Sequence, residues 1–314
     1  MDKRQIGPLS VTVVGVGCNN FGGRIDETRS REVIDAAIEL GVNFFDTADM
    51  YANGRSEELL GRFIGDRRRD VIIATKFGQD MPGQGRGARP EYVRLACDAS
   101  LKRLGTDYID LYQLHLPDPD VPIAETLGAL DELCKAGKVR HIGCSNFSAE
   151  LLREANTAAA RRPGSARFIS VQNEYSLLER EPERGVLGEC ERLGVAFLPF
   201  FPLKSGLLTG KYRKGQPPPE DTRVAKYERY RKLLTDENLD AIEGLIAYAE
   251  SAGHTILELA FSWLLAHRPV ASVIAGASSA QQVRANVEAA NWRIEASQLR
   301  EIDVLLRHEV ARAK

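Results

Sequence analysis

The chain has 314 residues, of which 43% are apolar and 27% charged, with a formal net charge of −2. This is the balance of a folded globular protein, and it gives no electrostatic reason to bind nucleic acid or an anionic membrane surface. No apolar run reaches the roughly 20 residues of a membrane span, and no apolar stretch follows residues 1–5 as a signal peptide requires.

Taken in chain order, a turn at 6–10 precedes a strand predicted over 11–16, closed by Gly15 and Gly17. A helix is predicted over 28–40, with Val33, Ile34, Ala37 and Ile38 on one face and Gly41 as its stop. Asn43, Phe44 and Phe45 end a buried strand, Asp46 stands where that strand leaves the core, and Tyr51 follows in the loop. The alternation continues with a helix at 56–64 and a strand at 71–76, separated by the basic run Arg67 to Arg69, expected to be a solvated turn. A helix at 90–104 opens on Pro90, a favoured first-turn residue, and leads to a strand at 108–115. Helices at 122–136, 149–160 and 185–193 then alternate with strands at 139–145, 168–173 and 195–200. A long irregular stretch, 204–235, is expected to act as a lid over the site. Helical patterns at 237–251 and 256–265, a last strand at 270–274, and helices at 280–289 and 297–310 complete the chain.

Eight short apolar strands separated by helices, with no linker between them, predict an α/β protein built as one (β/α)8 barrel over residues 1–314. It would carry a long loop after its seventh strand and an extra C-terminal helix. Five scattered cysteines without a CxxC pair argue against a disulfide framework and against a zinc site. They fit a reducing compartment, and a cytoplasmic location is expected.

In such a barrel the C-terminal strand ends gather at one mouth and catalytic groups come from several of them. Asp46, Lys76 and His115 fall at three consecutive strand ends, and Tyr51 arrives from the loop after the first of these. A tyrosine is protonated at neutral pH, its ordinary pKa being about 10, and a nearby ammonium is expected to lower that value. Asp46 is the candidate counter-ion for a buried Lys76, and His115 is placed to hydrogen-bond a substrate oxygen. The set suits donation of a proton to an oxygen gaining negative charge, as when a hydride reaches a carbonyl carbon.

The residues that carry this chemistry lie in specific motifs: Phe45-Asp46-Thr47-Ala48 with Tyr51, Lys76 in a strand ending Thr-Lys, Asp110-Leu111-Tyr112-Gln113-Leu114-His115, Gly143-Cys144-Ser145-Asn146-Phe147, and Ser205 to Tyr212. Over nearly its whole length the chain resembles the aldo-keto reductases, in the branch that includes voltage-gated potassium channel β subunits and related bacterial oxidoreductases. That resemblance implies reduction of aldehydes or ketones to alcohols with NADPH, NADH being possible, on a small-molecule carbonyl substrate. Tyr51 is then the general acid, Asp46 and Lys76 tune it, and His115 orients the carbonyl. The alternative it carries is a partner that senses cofactor redox state with little turnover.

Gly15-Val16-Gly17 tempts a Rossmann fingerprint, but Asn20 occupies the place of its third glycine. The resemblance assigns Gly17, Cys18 and Arg24 to the mouth beside the cofactor instead. It gives Ser145, Asn146 and Gln172 to the nicotinamide carboxamide, with Asp46 nearby, and Phe200 to stacking on the nicotinamide ring. Phe201 stands where many relatives have serine, so pyrophosphate contacts there would come from backbone N–H groups. Pro202, Leu203, Ser205, Gly206, Leu207 and Lys211 would continue along the dinucleotide, with Arg223 at the adenosine end. Gly276, Ser278, Gln282 and Asn286 would grip the adenosine or its 2′-phosphate. Ala285 replaces a common glutamate and no lysine adjoins Ser278, so the resemblance leaves the choice of dinucleotide open. Met50, Tyr51, Phe77, His115, Phe147 and Tyr175 are expected to line the substrate pocket, and no metal is implied. Neither the substrate nor the oligomeric state can be read from the sequence.

Overall fold

Period-two alternation along the strands divides the apolar residues of this chain into two separate cores. The computed structural model describes residues 1–312, with side chains through Leu306. Its sheet contains β3 (Val14–Gly17), β4 (Phe44–Asp46), β5 (Ile72–Phe77), β6 (Ile109–Leu114), β7 (Val139–Ser145), β8 (Phe168–Glu174), β9 (Ala196–Phe200) and β10 (Val273–Gly276). All are parallel, each hydrogen-bonded to the next in chain order, with β10 returning to pair with β3. The remaining seam is bridged just before β10, where Phe197 N donates to Pro269 O (2.7 Å) and Ala271 N to Phe197 O (3.1 Å). The result is a nearly closed (β/α)8 barrel in a single domain.

Phe44, Ala74, Leu111, Leu198 and Ile274 fill the lumen. The strand residues between them face outward and pack under a ring of helices, in a larger core that includes Phe45, Ile73, Phe77 and Tyr112. Lumen space is tight enough to dictate composition: a methyl on Gly143 would lie 2.3 Å from Ser170 Oγ. The helical ring is α1 (Glu27–Glu39), α2 (Arg55–Ile64), α3 (Pro90–Leu104), α4 (Ile123–Lys135), α5 (Ala149–Ala160), α6 (Val186–Leu193), α9 (Asp236–Ser251), α10 (Ile256–Ala266) and α11 (Ala280–Glu288). Short helices α7 (Arg223–Lys226) and α8 (Glu228–Arg231) precede α9, and α12 (Ala296–Arg312) ends the description. Side chains satisfy several N-terminal amides: Asp26 caps α1, Ser148 caps α5, and Thr255 with Glu258 forms a reciprocal capping box on α10.

Several expectations are corrected. The first predicted strand is two elements, because β1 (Lys3–Ile6) and β2 (Leu9–Thr12) form an antiparallel hairpin whose Ile6, Leu9 and Val11 plug the lumen floor. The last strand begins at Val273 rather than 270, since residues 269–271 are occupied in bridging to β9. The stretch 204–235 is not wholly irregular, containing a 3₁₀ segment (Lys204–Thr209) as well as α7 and α8. Nor is the arginine run merely solvated. Arg68 pairs with the buried Asp110 at 2.8 Å, and its guanidinium lies 4.0 Å from the Tyr108 ring centroid, with Arg140 at 3.8 Å.

Candidate active site

At the C-terminal end of the lumen the inward residues change from apolar to polar one step along each strand. Phe44 gives way to Asp46, Ala74 to Lys76 and Leu111 to Gln113, while on β8 the small Ser170 is followed by Gln172. Lys76, wholly buried, donates from Nζ to Asp46 Oδ2 (2.6 Å) and to Thr47 O (2.9 Å). The other Asp46 oxygen accepts from Gln113 Nε2 (3.2 Å) and Gln172 Nε2 (3.0 Å). Three strands thus supply donors to one carboxylate, which fixes its orientation. Burial works against the Lys76 charge, yet Asp46 and Tyr51 together hold its pKa above the ordinary lysine value.

Tyr51 opens a 3₁₀ turn (Tyr51–Gly54) in which Ala52, Asn53 and Gly54 all have left-handed backbone, with φ of 48°, 53° and 87°. Such geometry in non-glycine residues costs of order 1–2 kcal/mol each. It brings the Tyr51 ring to 5.3 Å from Lys76 Nζ and to 6.0 Å, edge-on, from the His115 ring. Burial raises the Tyr51 phenol above its ordinary value, Lys76 pulls the other way, and the net shift is upward. This corrects the expectation that the ammonium alone would set a lowered value. His115, just beyond β6, continues the ladder by donating from its backbone N to Phe77 O (2.8 Å). Burial first, and Lys76 second, depress its imidazole to about 3, so it is neutral across the physiological range. Its buried Nδ1 has no hydrogen-bond partner among the described residues.

The residues expected around a nicotinamide are brought to one side of this set. Ser145 Oγ donates to Gln172 O (2.7 Å), and Asn146, with left-handed φ of 60°, donates from Nδ2 to His115 O (3.0 Å). Phe200 and Phe201 meet edge-on, their centroids 5.3 Å apart, at the end of β9. Beyond them the chain turns through left-handed residues Phe201, Lys204, Ser205 and Gly206. Lys204 ties this turn to the end of β8 and the segment beyond it, donating to Glu174 (2.8 Å) and Glu179 (2.9 Å). Cys18, Pro202 and Leu207 are buried, so whatever they offer to the mouth is backbone.

Arg24, Lys211 and Arg223 form a cluster of like charge. Burial comes first in lowering both Lys211 and Arg223, and the neighbouring cations lower them further. Among the described residues none of the three pairs with a carboxylate. Gly206, with a left-handed φ of 99° that favours glycine, brings bare backbone to the Lys211 amine, 3.5 Å from where a Cβ would stand. Unneutralised cations gathered around a glycine turn fit a polyanionic group such as a dinucleotide pyrophosphate. At the start of α11, Ser278 donates from N (2.8 Å) and Oγ (3.1 Å) to Gln282 Oε1. Ser279 is the helix cap, Asn286 is buried one turn below Gln282, and Gly276 closes β10 beside Asn19.

Two expected pocket residues lie elsewhere. Phe77 follows Lys76 and therefore faces outward, stacked on Tyr112 at 4.6 Å. Tyr175 is buried against Trp263 and Phe197, its hydroxyl hydrogen-bonded with Glu183 and His267. Phe147 is 2% exposed and packs edge-on against Phe168, while Met50 is half-buried next to Tyr51. Two contributors were missed. Gln113 was signalled by its place two residues before His115 in an apolar strand, on the same face of the sheet. Asn20, noted only as a failed glycine, donates to Ala277 O (2.9 Å) and accepts from Arg223, joining the first and last strand loops to α7. Among the described residues no cluster of His, Cys, Asp or Glu is arranged to hold a metal ion, and no helix is long and apolar enough to cross a membrane.

The sequence pattern of the Aldo/keto reductase family matches residues 13–307. A probable voltage-gated potassium channel subunit beta from Arabidopsis thaliana is 36% identical over 291 residues, covering 90% of this chain and 88% of the relative. The aldo-keto reductase yakc of Schizosaccharomyces pombe, whose name carries NADP(+), is 35% identical over 311 residues, 95% of this chain and 89% of its own. The L-glyceraldehyde 3-phosphate reductase of Escherichia coli is 35% identical over 287 residues, 87% and 82% respectively.

Proposed function

The chain belongs to the aldo/keto reductase family, a family of oxidoreductases, and on that premise we propose that it reduces aldehydes or ketones to alcohols with a nicotinamide dinucleotide. The observation that carries this reading is a buried ammonium, Lys76, in reach of both the Asp46 carboxylate and the Tyr51 ring, beside a neutral His115. When bound, the dinucleotide supplies the hydride. Tyr51 supplies the proton to the carbonyl oxygen, and its raised pKa keeps it protonated at the start of each cycle. Lys76 stabilises the phenolate as the proton leaves, and Asp46, held by two glutamines, keeps that lysine charged and in place. His115, unable to take a proton near neutrality, is a hydrogen-bond donor that aligns the carbonyl.

The phosphorylated dinucleotide is the one named for the fission-yeast relative, and Arg223, at the adenosine end, is the cation that would meet its additional phosphate. The dinucleotide would lie from Ser145, Asn146, Gln172 and Phe200 past Gly206 towards Ser278 and Gln282. The test is loss of reduced-nicotinamide absorbance with small aldehydes and ketones, run with both dinucleotides. Tyr51→Phe is expected to remove most turnover and leave dinucleotide binding nearly intact; loss of both together would refute the role given to Tyr51. A relative named as a probable channel subunit motivates a second reading, a cofactor-sensing partner. Tight dinucleotide binding without turnover on any carbonyl would favour it.

A further inference from the structure

Behind the tetrad lies a group of buried polar atoms that the reaction does not use. Asp49 is 1% exposed, and among the described residues neither of its carboxylate oxygens has a side-chain hydrogen-bond partner. Tyr92 and Tyr112, 9% and 0% exposed, bury hydroxyls that are likewise unpartnered among the described residues. All three interact electrostatically with one another. Asp49 belongs to the loop that carries Tyr51, and its backbone N donates to Lys76 O at 3.1 Å.

The surrounding charges are already committed. Glu57, from α2, accepts from Thr75 Oγ1 (2.6 Å) and from Arg103 Nε (2.6 Å), and a second Arg103 nitrogen donates to Ser100. On β5 the Lys76 ammonium is taken by Asp46 and Thr47. The other titratable groups facing the cluster, Cys97 from α3 and Asp80 from the loop after β5, bring no positive charge. Arg103 and Lys76 lie near enough to favour the Asp49 anion, but both are already paired, and a buried carboxylate left without an ion-pair partner of its own tends to retain its proton and gather water.

We propose that Asp49, Tyr92 and Tyr112 form a buried acid site, joined by water, that acts on Tyr51 through the charge of Lys76. Burial first and the Glu57 charge second raise the Asp49 carboxyl to about 7, against the Met50 backbone N–H, Arg103 and Lys76, which lower it. Below that pH the site is neutral and Lys76 exerts its full pull on Tyr51. Above it, an anion at Asp49 offsets part of the lysine charge, so the phenol gives up its proton less readily. Asp49 is therefore a positioning residue for charge rather than a group that touches substrate. The last step rests on the reductase reading, whereas the acid site itself does not.

The experiment compares the full-length protein with Asp49→Asn and Asp49→Glu between about pH 5 and about pH 9. Infrared difference spectra should contain the C=O stretch of a protonated carboxylic acid that titrates near neutrality, disappears in Asp49→Asn and returns in Asp49→Glu. Tyr112→Phe should shift that band without removing it, which separates loss of the acid from loss of folding. A wild-type spectrum without the band, or one that Asp49→Asn leaves unchanged, overturns the acid site. For the link to Tyr51, wild-type kcat should fall severalfold as pH rises through this range. The inflection should vanish in Asp49→Asn and persist in Asp49→Glu, with KM little changed. Identical profiles in all three overturn the link. Absence of any carbonyl reduction refutes the reductase reading instead, with the infrared result still deciding the acid site.

Discussion

Lys76 is the residue on which the others depend, because it is wholly buried and its charge is met almost entirely by Asp46. Lys76→Met would leave that carboxylate in a low-dielectric lumen with only two neutral amide donors. Removing one partner of a buried pair typically costs about 3–5 kcal/mol, and chemical denaturation should register a loss of that size. Lys76→Arg is not a conservative rescue, since a planar fork cannot take the place of a point charge between Asp46 and Thr47 O. His115 yields a second expectation. Its imidazole sits at about 3 when folded against an ordinary 6.5, so between those values the unfolded chain binds the extra proton. Its contribution to stability is therefore full above about pH 6.5 and is lost as pH falls towards about 3. The raised Asp49 carboxyl acts in the opposite sense, its contribution being full at acid pH and lost as pH rises through about 7. Two-dimensional NMR of the folded protein should find the His115 ring neutral at pH values where an ordinary histidine is charged; titration near the ordinary value would remove the physical basis for its role as a neutral donor.

Among the elements, the β1–β2 hairpin shows how a feature can be invisible in sequence and still structural. Its apolar residues are few and lie on either side of Gly7-Pro8, so they merge with the first barrel strand when only period-two alternation is followed. Only closure of the barrel reveals why they are apolar: Ile6, wholly buried, fills the end of a lumen that would otherwise be open to water. Ile6→Ala should destabilise by about 2–5 kcal/mol, the range for truncating a buried aliphatic residue. Since the mouth is at the other end, dinucleotide affinity should be unaffected. The helices were more legible. The span 90–104, marked by a first-turn proline, and the span 149–160 are those found in α3 and α5. The strand ends carrying Asp46, Lys76 and His115 were legible only together: one ionisable residue closing an apolar run is more often a cap or a satisfied core group, whereas three on consecutive strands converge on one mouth. Phe77 was misplaced by taking nearness in sequence to Lys76 for nearness in space, although consecutive strand residues face opposite sides of a sheet. The net rise at Tyr51 was hidden for a similar reason. A lysine in the sequence implies attraction to the phenolate, but the opposing burial exists only once the barrel has formed.

At the scale of the whole molecule the net charge is close to neutral, while among the described residues Arg24, Lys211 and Arg223 stand together without acidic partners. Their mutual repulsion opposes folding, and the burial that lowers Lys211 and Arg223 adds to the cost. A polyanion bound among them converts repulsion into attraction, so ligand binding and barrel stability should be strongly linked. A dinucleotide present at about 100 times its Kd stabilises the folded state by about 2.7 kcal/mol through mass action alone. Thermal unfolding should therefore shift upward with NADPH and NADP+, and more than with NADH at equal concentration if the cation cluster meets the additional phosphate. Arg223→Leu removes one charge and the contact to Asn20. Without ligand it should be less destabilising than an ordinary loss of a half-buried arginine, because repulsion from Arg24 is relieved. Its response to NADPH should shrink towards that of NADH, and raising the salt concentration should narrow the same gap in the parent protein. An equal response to both dinucleotides before and after the substitution would mean that these three cations meet a group common to both, the pyrophosphate, and that selectivity resides at Ser278 and Gln282.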